Sequence, residues 1–253
     1  MNPILLQTSI IGGTGLVCGA ILAIAARFLA VREDPRVEQI TALLPGINCG
    51  GCGFAGCAGY ALAMVHDGVS PDLCRPGGSE VAKKCAVFLG VDVVEKERPV
   101  ALIRCQGSFL TSVRKALYNG IADCGAAELV GGDKACRFGC HGMGSCARIC
   151  PVSAIEIQNG LAVVHPEICI GCGLCVRTCP RHLIILVPES RFIHVLCMSQ
   201  DRGPDVKKVC KVGCIACTLC AKIVVNQGIH MEGNLAVVDY QIPLSNEDVI
   251  LKC

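Results

Sequence analysis

The chain has 253 residues, of which 22 are cysteine, and it contains no tryptophan and only 4% aromatic side chains. With so few large rings to fill a core, we expect cysteine chemistry to hold the fold together. The formal net charge of +2 and the lack of a basic run give no reason to expect nucleic-acid binding. Many cysteines lie two or three residues apart, which is typical of metal sites in a reducing compartment and not of a secreted disulfide framework.

Residues 1–31 form the first predicted unit, a transmembrane anchor. No charged side chain occurs in residues 3–26, and this run is long enough to cross a bilayer core of roughly 30 Å at about 1.5 Å per residue. A cleaved signal peptide is the alternative, because residues 23–25 resemble a small-residue cleavage site, but the uncharged start and the long apolar run argue against it. Arg27 and Arg32 follow the span, so the positive-inside rule places the rest of the chain in the cytoplasm, at the inner face of the cytoplasmic membrane.

Residues 32–98 form the second predicted unit, a small iron–sulfur domain that follows a charged linker. Its cysteines have the spacing C-x2-C-x4-C-x16-C, and they are Cys49, Cys52, Cys57 and Cys74. Glycine-rich loops let the backbone wrap closely around a [4Fe-4S] cluster, whereas a zinc site of four thiolates would more often show two separated CxxC pairs. The stretch also contains G-x-G-x-x-G, but no strand precedes it, so we reject a dinucleotide site. Helices are predicted over residues 58–69 and 79–89, the second capped by Ser79.

Residues 99–135 are predicted as an inserted connecting segment, and residues 136–188 as a two-cluster ferredoxin-like domain. The downstream half matches C-x2-C-x2-C-x3-C-P without departure, and the upstream half ends in C-x3-C-P. In a two-cluster ferredoxin, the Cys-Pro thiol of each half ligates the cluster of the other half. The ligands predicted for one cluster are therefore Cys150, Cys169, Cys172 and Cys175. In the upstream trio Met143 replaces the middle cysteine, so we take the nearest thiol instead. The ligands predicted for the partner cluster are Cys136, Cys140, Cys146 and Cys179.

Residues 189–253 are predicted as a connecting strand and a reduced ferredoxin-like unit, because the ferredoxin pattern recurs. At a shift of 74 residues, "AIEIQNGLAVVHPE" (154–167) lies on "GIHMEGNLAVVDYQ" (228–241). The shift places Cys150 on Val224 and the downstream trio on residues without thiols, so this copy has lost one cluster. The ligands predicted for its remaining cluster are Cys214, Cys217, Cys220 and Cys253. The alternative is that Cys210 closes this last site.

Six cysteines remain outside these four sets. Cys18 in the span and Cys85 in a predicted helix are interpreted as small buried hydrophobic residues. The strand-like runs "PVALIRC" and "RFIHVLC" each end in a cysteine, and neighbouring strands would bring the two thiols together. A fifth site is therefore predicted from the four other cysteines, which are Cys105, Cys124, Cys197 and Cys210. Four unrelated thiols are the alternative.

These motifs resemble one known family, the B subunit of the Rnf complex, a membrane ferredoxin:NAD oxidoreductase that pumps ions. The matching segments are the uncharged anchor, "LPGINCGGCGFAGCAGYA", "GGDKACRFGCHGMGSCARICPVSAI" and "VGCIACTLC". The chain looks like the longer form of that protein, which carries the inserted segment. The predicted fold class is α+β, with an N-terminal transmembrane helix, a small [4Fe-4S] module and tandem ferredoxin-like units. Four [4Fe-4S] clusters are predicted, one in the module and three in the ferredoxin-like units, and a fifth if Cys105, Cys124, Cys197 and Cys210 form a site.

The resemblance implies that electrons enter from soluble reduced ferredoxin and leave to other membrane and flavin subunits of the complex. It also implies that a separate flavin subunit meets NAD, and we predict neither an NAD site nor catalytic residues in this chain. Two alternatives remain at this point. One is a related membrane reductase with a different acceptor, and the other is a scaffold whose clusters do not turn over.

Overall fold

The computed structural model describes residues 3–28, 34–93, 97–224 and 228–244. Cys253 and Arg32, on which two of the predictions depend, lie outside these residues. The first element is helix α1, Pro3–Phe28. Its segment Ile11–Phe28 has a mean hydropathy of 1.7 with none of it buried, and it is the one helix in the described part of the chain that is long and apolar enough to cross a membrane.

Helix α1 exposes its apolar side chains in the way that a helix surrounded by lipid does. Leu16 is 76% exposed and Phe28 is 86% exposed, whereas the core helix of a soluble protein would bury such residues. Cys18 is also exposed on this helix. The interpretation of Cys18 as a small apolar residue of the span is compatible with this position on α1.

Three helices form the N-terminal module, and they are α2 (Pro35–Leu43), α3 (Cys57–His66) and α4 (Gly78–Leu89), with a 3-10 turn at Pro71–Leu73. Helix α2 occupies a stretch predicted from the sequence as a charged linker. The Asp34 carboxylate accepts a hydrogen bond from the Arg36 amide and Pro35 occupies the first turn, which are both helix-start signals. Val37 and Ile40 are buried, so this segment belongs to the folded module.

The core of the N-terminal module lies between these three helices. Ile40 and Cys85 are fully buried, and Tyr60 is only 1% exposed. The Tyr60 hydroxyl donates to the Ser70 carbonyl at 2.7 Å and accepts from the Leu73 amide at 3.2 Å. The interpretation of Cys85 as a buried hydrophobic residue is confirmed. The predicted helix ends are wrong by a few residues, because the left-handed Gly68, with φ 65°, ends α3 and because α4 begins after Gly77 instead of Ser79.

Two antiparallel pairs of strands build the central unit. They are β1 (Pro99–Ile103) with β4 (Ile184–Pro188), and β2 (Ile155–Gln158) with β3 (Leu161–Val164). Short helices complete it, namely α5 (Cys124–Leu129), α6 (Ser145–Arg148) and α7 (Leu174–Thr178). Segment 99–135 thus supplies a strand and a helix to this unit and is more than a connection. The strand predicted over residues 191–197 is wrong, since these residues are irregular and β1 pairs with β4 instead.

The last described part repeats the hairpin of the central unit. It comprises α8 (Gly203–Val209), α9 (Leu219–Ile223), β5 (Ile229–Glu232) and β6 (Leu235–Val238). The pairing Ile155↔Val164 recurs as Ile229↔Val238, at the predicted shift. Val224, which stands where the first copy has a cysteine, is buried against Ile229 and Ala236. The internal repeat and the mixed α+β fold are therefore confirmed, and an apolar side chain fills the position of the lost thiol.

Candidate metal centres

The cysteines of the N-terminal module surround one cavity, which we call site 1. It is lined by Cys49, Cys52, Cys57 and Cys74, and its empty volume is ≈ 320 Å³ including space open to solvent. Asn48 orders the loop, because its side-chain oxygen accepts from the Cys57 amide at 2.8 Å. The Gly51 amide points at the Cys49 sulfur, 3.5 Å away. Burial raises the pKa of the Cys74 thiol to about 11. The structure brings together the four residues predicted for this site.

The second set of thiols, site 2, comprises Cys150, Cys169, Cys172 and Cys175. Burial, together with the nearby Cys172, Cys169 and Cys150 thiols, raises the pKa of Cys175 to about 12. Backbone amides face two of the sulfurs: Ala101 of β1 lies 3.4 Å from Cys169, and Ala154 lies 3.3 Å from Cys150. The crossed pattern predicted from the two Cys-Pro motifs therefore agrees with the arrangement of these four side chains.

Two further cavities divide the remaining thiols of the central unit differently from the prediction. Site 3 has an empty volume of ≈ 380 Å³ and is lined by Cys124, Cys140, Cys146 and Cys179. Site 4 has ≈ 410 Å³ and is lined by Cys105, Cys136, Cys197 and Cys210. Both volumes include space open to solvent. Cys124 and Cys136 are thus exchanged relative to the sequence-based pairing, and that pairing needs correction.

Local hydrogen bonds explain the exchange. Cys124 begins α5, and its amide donates to the Ser145 hydroxyl at 2.8 Å, which holds it beside Cys146. Ser145 in turn donates to the Asp123 carboxylate at 2.7 Å. Cys136 lines site 4 instead, where the neighbouring Cys197 and Cys210 add to the burial that raises its pKa. The spacing of cysteines along the chain does not predict that Cys124 lines site 3 and Cys136 lines site 4, since the other thiols of each site come from distant segments.

Arg181 joins the walls of sites 3 and 4. Its side chain is 7% exposed, and it donates to the Cys136 carbonyl at 3.2 Å and to the Gly139 carbonyl at 2.6 Å. Its Nε also donates to Glu128 at 2.6 Å. Burial alone would raise the pKa of Glu128, but hydrogen bonds from His141 and Arg181 outweigh it and lower the pKa. Sequence reasoning missed the roles of Arg181 and His141, because nothing local distinguishes them from other basic residues.

Lys134 is a buried cation in the wall of site 4. It is 3% exposed, and its Nζ donates to the Gly107 and Gly160 carbonyls, each at 2.6 Å. Burial lowers its pKa, while the nearby Cys140 and Cys105 thiols act in the opposite direction. The Cys140 amide also lies 3.4 Å from the Cys105 sulfur. Sites 3 and 4 are therefore in direct contact, with one positive charge beside both.

The last set, site 5, is described for Cys214, Cys217 and Cys220. Cys217 is exposed and the other two are partly buried. Thr218 precedes α9 with φ 64°, as Gly144 precedes α6 with φ 79°, so the residue before the helix is left-handed in both copies. Cys210 lines site 4, which argues against its closing site 5. The predicted fourth ligand of site 5, Cys253, lies outside the described residues.

The donor sets fit iron–sulfur clusters better than single ions. Within the described ranges, no group of three or more histidine, cysteine, aspartate or glutamate side chains is arranged to hold one metal ion. The thiols instead line cavities in sets of four, as they do at sites 1, 3 and 4. Four thiolates around such a space are the donor set of a [4Fe-4S] cluster.

Comparisons with known proteins agree with this chemistry. The family described as "Putative Fe-S cluster" matches residues 44–76, and the family described as "4Fe-4S binding domain" matches residues 162–185. The chain is 40% identical over 255 residues to the B subunit of the Na(+)-translocating ferredoxin:NAD(+) oxidoreductase complex of Acetobacterium woodii, covering 100% of this chain and 77% of that protein. It is 41% identical to the B subunit of the proton-translocating ferredoxin:NAD(+) oxidoreductase complex of Clostridium ljungdahlii, over 100% of this chain and 91% of the relative.

A third relative is the B subunit of the ion-translocating oxidoreductase complex of Methanosarcina acetivorans, which is 37% identical over 95% of this chain and 92% of its own length. The fold and the cysteine sites define an iron–sulfur protein of the ferredoxin class with an apolar N-terminal helix. The similarity along nearly the whole length is more specific. The chain belongs to the family of B subunits of ion-translocating oxidoreductase complexes, the Rnf family, so the resemblance inferred from the motifs is confirmed.

Proposed function

We propose that this protein carries single electrons from a soluble reduced ferredoxin to membrane and flavin subunits of its complex, through five [4Fe-4S] sites. The observation that carries the proposal is that successive cysteine sites lie close together. Cys49 of site 1 lies near Cys172 of site 2, and Cys146 of site 3 lies near Cys175 of site 2. Sites 3 and 4 are in contact as described above, and Gly213, which precedes Cys214 of site 5, lines site 4.

When bound, each cluster takes up and returns one electron, and the chain sets how readily this happens. Amide groups aimed at sulfur, such as those of Ala101 and Ala154, favour the reduced form because they stabilise added negative charge. The positive charge of Lys134 also favours the reduced form of the cluster at site 4. The buried walls keep water away, so few groups have to reorient when the charge changes.

The ligand sets that we propose follow the arrangement in the structure. The thiols of site 1 and site 2 are those named above, and site 3 is proposed to bind through Cys124, Cys140, Cys146 and Cys179. Site 4 is proposed to bind through Cys105, Cys136, Cys197 and Cys210, and site 5 through Cys214, Cys217, Cys220 and Cys253. We propose that α1 crosses the membrane, with Arg27 at its cytoplasmic end and all five sites on the cytoplasmic side.

The relatives support the choice of donor and acceptor. Two of them are named as subunits of ferredoxin:NAD(+) oxidoreductase complexes. Since no nicotinamide-binding pattern accompanies the cysteines of this sequence, we propose that electrons leave this chain to a flavin-bearing partner before they reach NAD.

The test mixes anaerobically purified, cluster-loaded protein with reduced ferredoxin in a stopped-flow spectrometer. We expect bleaching of the cluster absorbance, with a rate that falls as salt rises because docking of the two proteins is electrostatic. Iron analysis should give about 20 irons per chain, four for each of five sites. Full iron content with no reduction by ferredoxin would leave only a scaffold role, and reduction that delivers electrons to a different acceptor would indicate a related reductase.

A further inference from the structure

Gly51 lies between two ligands of site 1, and its own backbone does not require a glycine. Its neighbours Gly50 and Gly53 have φ of 64° and 93°, values that strongly favour glycine. Gly51 is not among the residues with positive φ. A residue with a side chain could therefore adopt this conformation without backbone strain, and the need for glycine must come from what surrounds it.

The surroundings of Gly51 belong to another site. A Cβ atom placed on Gly51 would lie 2.7 Å from the carbonyl oxygen of Cys172 and 3.3 Å from its Cα. Both are backbone atoms, so no rotation of a side chain could relieve the overlap. Cys172 is the middle thiol of the site 2 loop. The loops that carry sites 1 and 2 therefore meet backbone to backbone, at a distance that only the hydrogen of glycine allows.

Several polar contacts hold the two loops in this position. The Arg98 guanidinium donates to the Pro166 carbonyl at 2.6 Å, just before the site 2 loop. The Ser190 amide donates to the Glu97 carboxylate at 2.6 Å, and the Glu189 amide donates to the Arg98 carbonyl at 3.0 Å. The end of the N-terminal module is thus tied to both flanks of the central unit. The approach at Gly51 is part of a joined surface and not an isolated touch of two loops.

We propose that Gly51 is a positioning residue that sets the distance between site 1 and site 2, and that electrons pass between the N-terminal module and the central unit at this contact. The proposal rests on the function proposed above. In this step one electron is lost at one site and gained at the other, and no bond or proton changes. Electron tunnelling falls exponentially with distance, so a side chain that separates the loops slows this step without touching a ligand.

The test compares Gly51→Val and Gly51→Ala in the full-length, cluster-loaded protein. Gly59→Ala in α3 is the matched control, because its added Cβ would meet only the Phe54 side chain, at 4.0 Å. We would measure iron content and the EPR spectrum after full reduction with dithionite. Two reduced clusters close together broaden and split each other's signals. We expect this interaction in the wild type and in Gly59→Ala, and a weaker contribution from the pair of sites 1 and 2 in Gly51→Val at unchanged iron content, with Gly51→Ala between them and the interactions among sites 2 to 4 retained.

Each outcome decides the proposal. Unchanged splitting in Gly51→Val at full iron content would overturn it. If Gly51→Val lost the iron of site 1, Gly51→Ala would decide, since it adds a single carbon. Loss of that iron in both variants, with Gly59→Ala intact, would also overturn the proposal, because Gly51 would then serve only the folding of its own loop. A wild type without reducible clusters would instead refute the proposed function, whereas clusters present but not interacting would overturn this inference alone.

Discussion

The N-terminal module and the central unit hold their cysteines in opposite ways. Site 1 takes all four thiols from one stretch of 26 residues, Cys49 to Cys74, and the module packs behind them around Ile40 and Tyr60. Site 2 spans an equally short stretch, Cys150 to Cys175, whereas sites 3 and 4 take thiols from segments that are far apart in the chain. The central core also contains more of the ligands: Cys140, Cys146, Cys169 and Cys175 are buried among alanine and isoleucine side chains, whereas Cys74 is the one site 1 thiol in the described core of its module.

This difference separates cysteines that attach a cluster to a fold from cysteines that make the fold. In the N-terminal module, apolar contacts between helices exist apart from the thiols. In the central unit, pairs of short strands and helices of four to six residues have little else to pack against, and isolated elements of this size are marginal in water. Bound metal should therefore contribute folding free energy mainly in the central unit.

Removal of iron gives the largest expected effect. Treatment with an iron chelator under oxidising conditions should unfold the central unit, whose core loses its shared ligands, while the N-terminal helices keep part of their protection. Hydrogen–deuterium exchange measured by mass spectrometry checks this peptide by peptide. We expect near-complete loss of protection at β1 and β4, and a smaller loss at α2 and α4. Equal loss in both regions would contradict the comparison.

Substitution of single cysteines tests which thiols belong to site 3 and which belong to site 4. Cys124→Ala should remove or convert one cluster, with a loss of one to about four irons. Combined with Cys179→Ala, which affects the same site, it should cause little further loss, because changes in one site are not additive. Combined with Cys197→Ala, it should remove a second cluster. Iron analysis and EPR spin counts measure the number of clusters lost in each double variant.

Cys136→Ala is the matched variant, and the same two partners should give the reverse result. Paired with Cys197→Ala it should cost one cluster, and paired with Cys179→Ala it should cost two. If Cys136 and Cys179 instead acted as one unit, the pairing predicted from sequence spacing would be right and the arrangement in the cavities would be misleading.

The difference between local and distant ligands also explains which sites could be predicted from the sequence. Motif spacing predicted site 1 and site 2, because the ligands lie in one local loop or in the two Cys-Pro motifs. The hairpin repeat was visible because Ile229 and Val238 copy a register that the side-chain pattern fixes. The partner of Cys124 was not predictable, because it depends on the hydrogen bond from its amide to Ser145. Helix α2 could have been found from Asp34 and Pro35, which are helix-start signals inside a charged stretch.

A change at Arg181 should have a smaller effect, on stability rather than on ligation. Arg181→Met keeps most of the side-chain volume but removes the hydrogen bonds to Glu128 and to the Cys136 and Gly139 carbonyls. We expect the free energy of unfolding to fall by about 3–5 kcal/mol, the range for removal of one partner of a buried ion pair. Anaerobic denaturation with urea measures it. Arg177→Met is the control, because Arg177 is exposed and should change stability by no more than about 0.5 kcal/mol.

The smallest expected effect is a shift in reduction potential at Lys134. Its buried charge lies beside Cys105 and Cys140, so it should stabilise the electron added at sites 3 and 4. A charge interaction of about 1–2 kcal/mol at the effective dielectric of a protein corresponds to roughly 40–90 mV for a one-electron couple, at about 59 mV per tenfold change. Lys134→Met should therefore lower the midpoint potential by that amount in an EPR-monitored redox titration.

Two controls separate charge from packing at this position. Lys134→Arg keeps the charge and should leave the potential nearly unchanged, even if the larger head group strains the contacts with the Gly107 and Gly160 carbonyls. Lys208→Met removes a charge whose side chain is 74% exposed, and solvent and salt should screen its effect almost completely. If Lys134→Met and Lys134→Arg shifted the potential equally, packing would be the cause. The central unit would then tune these sites by the packing around Lys134 and not by its charge.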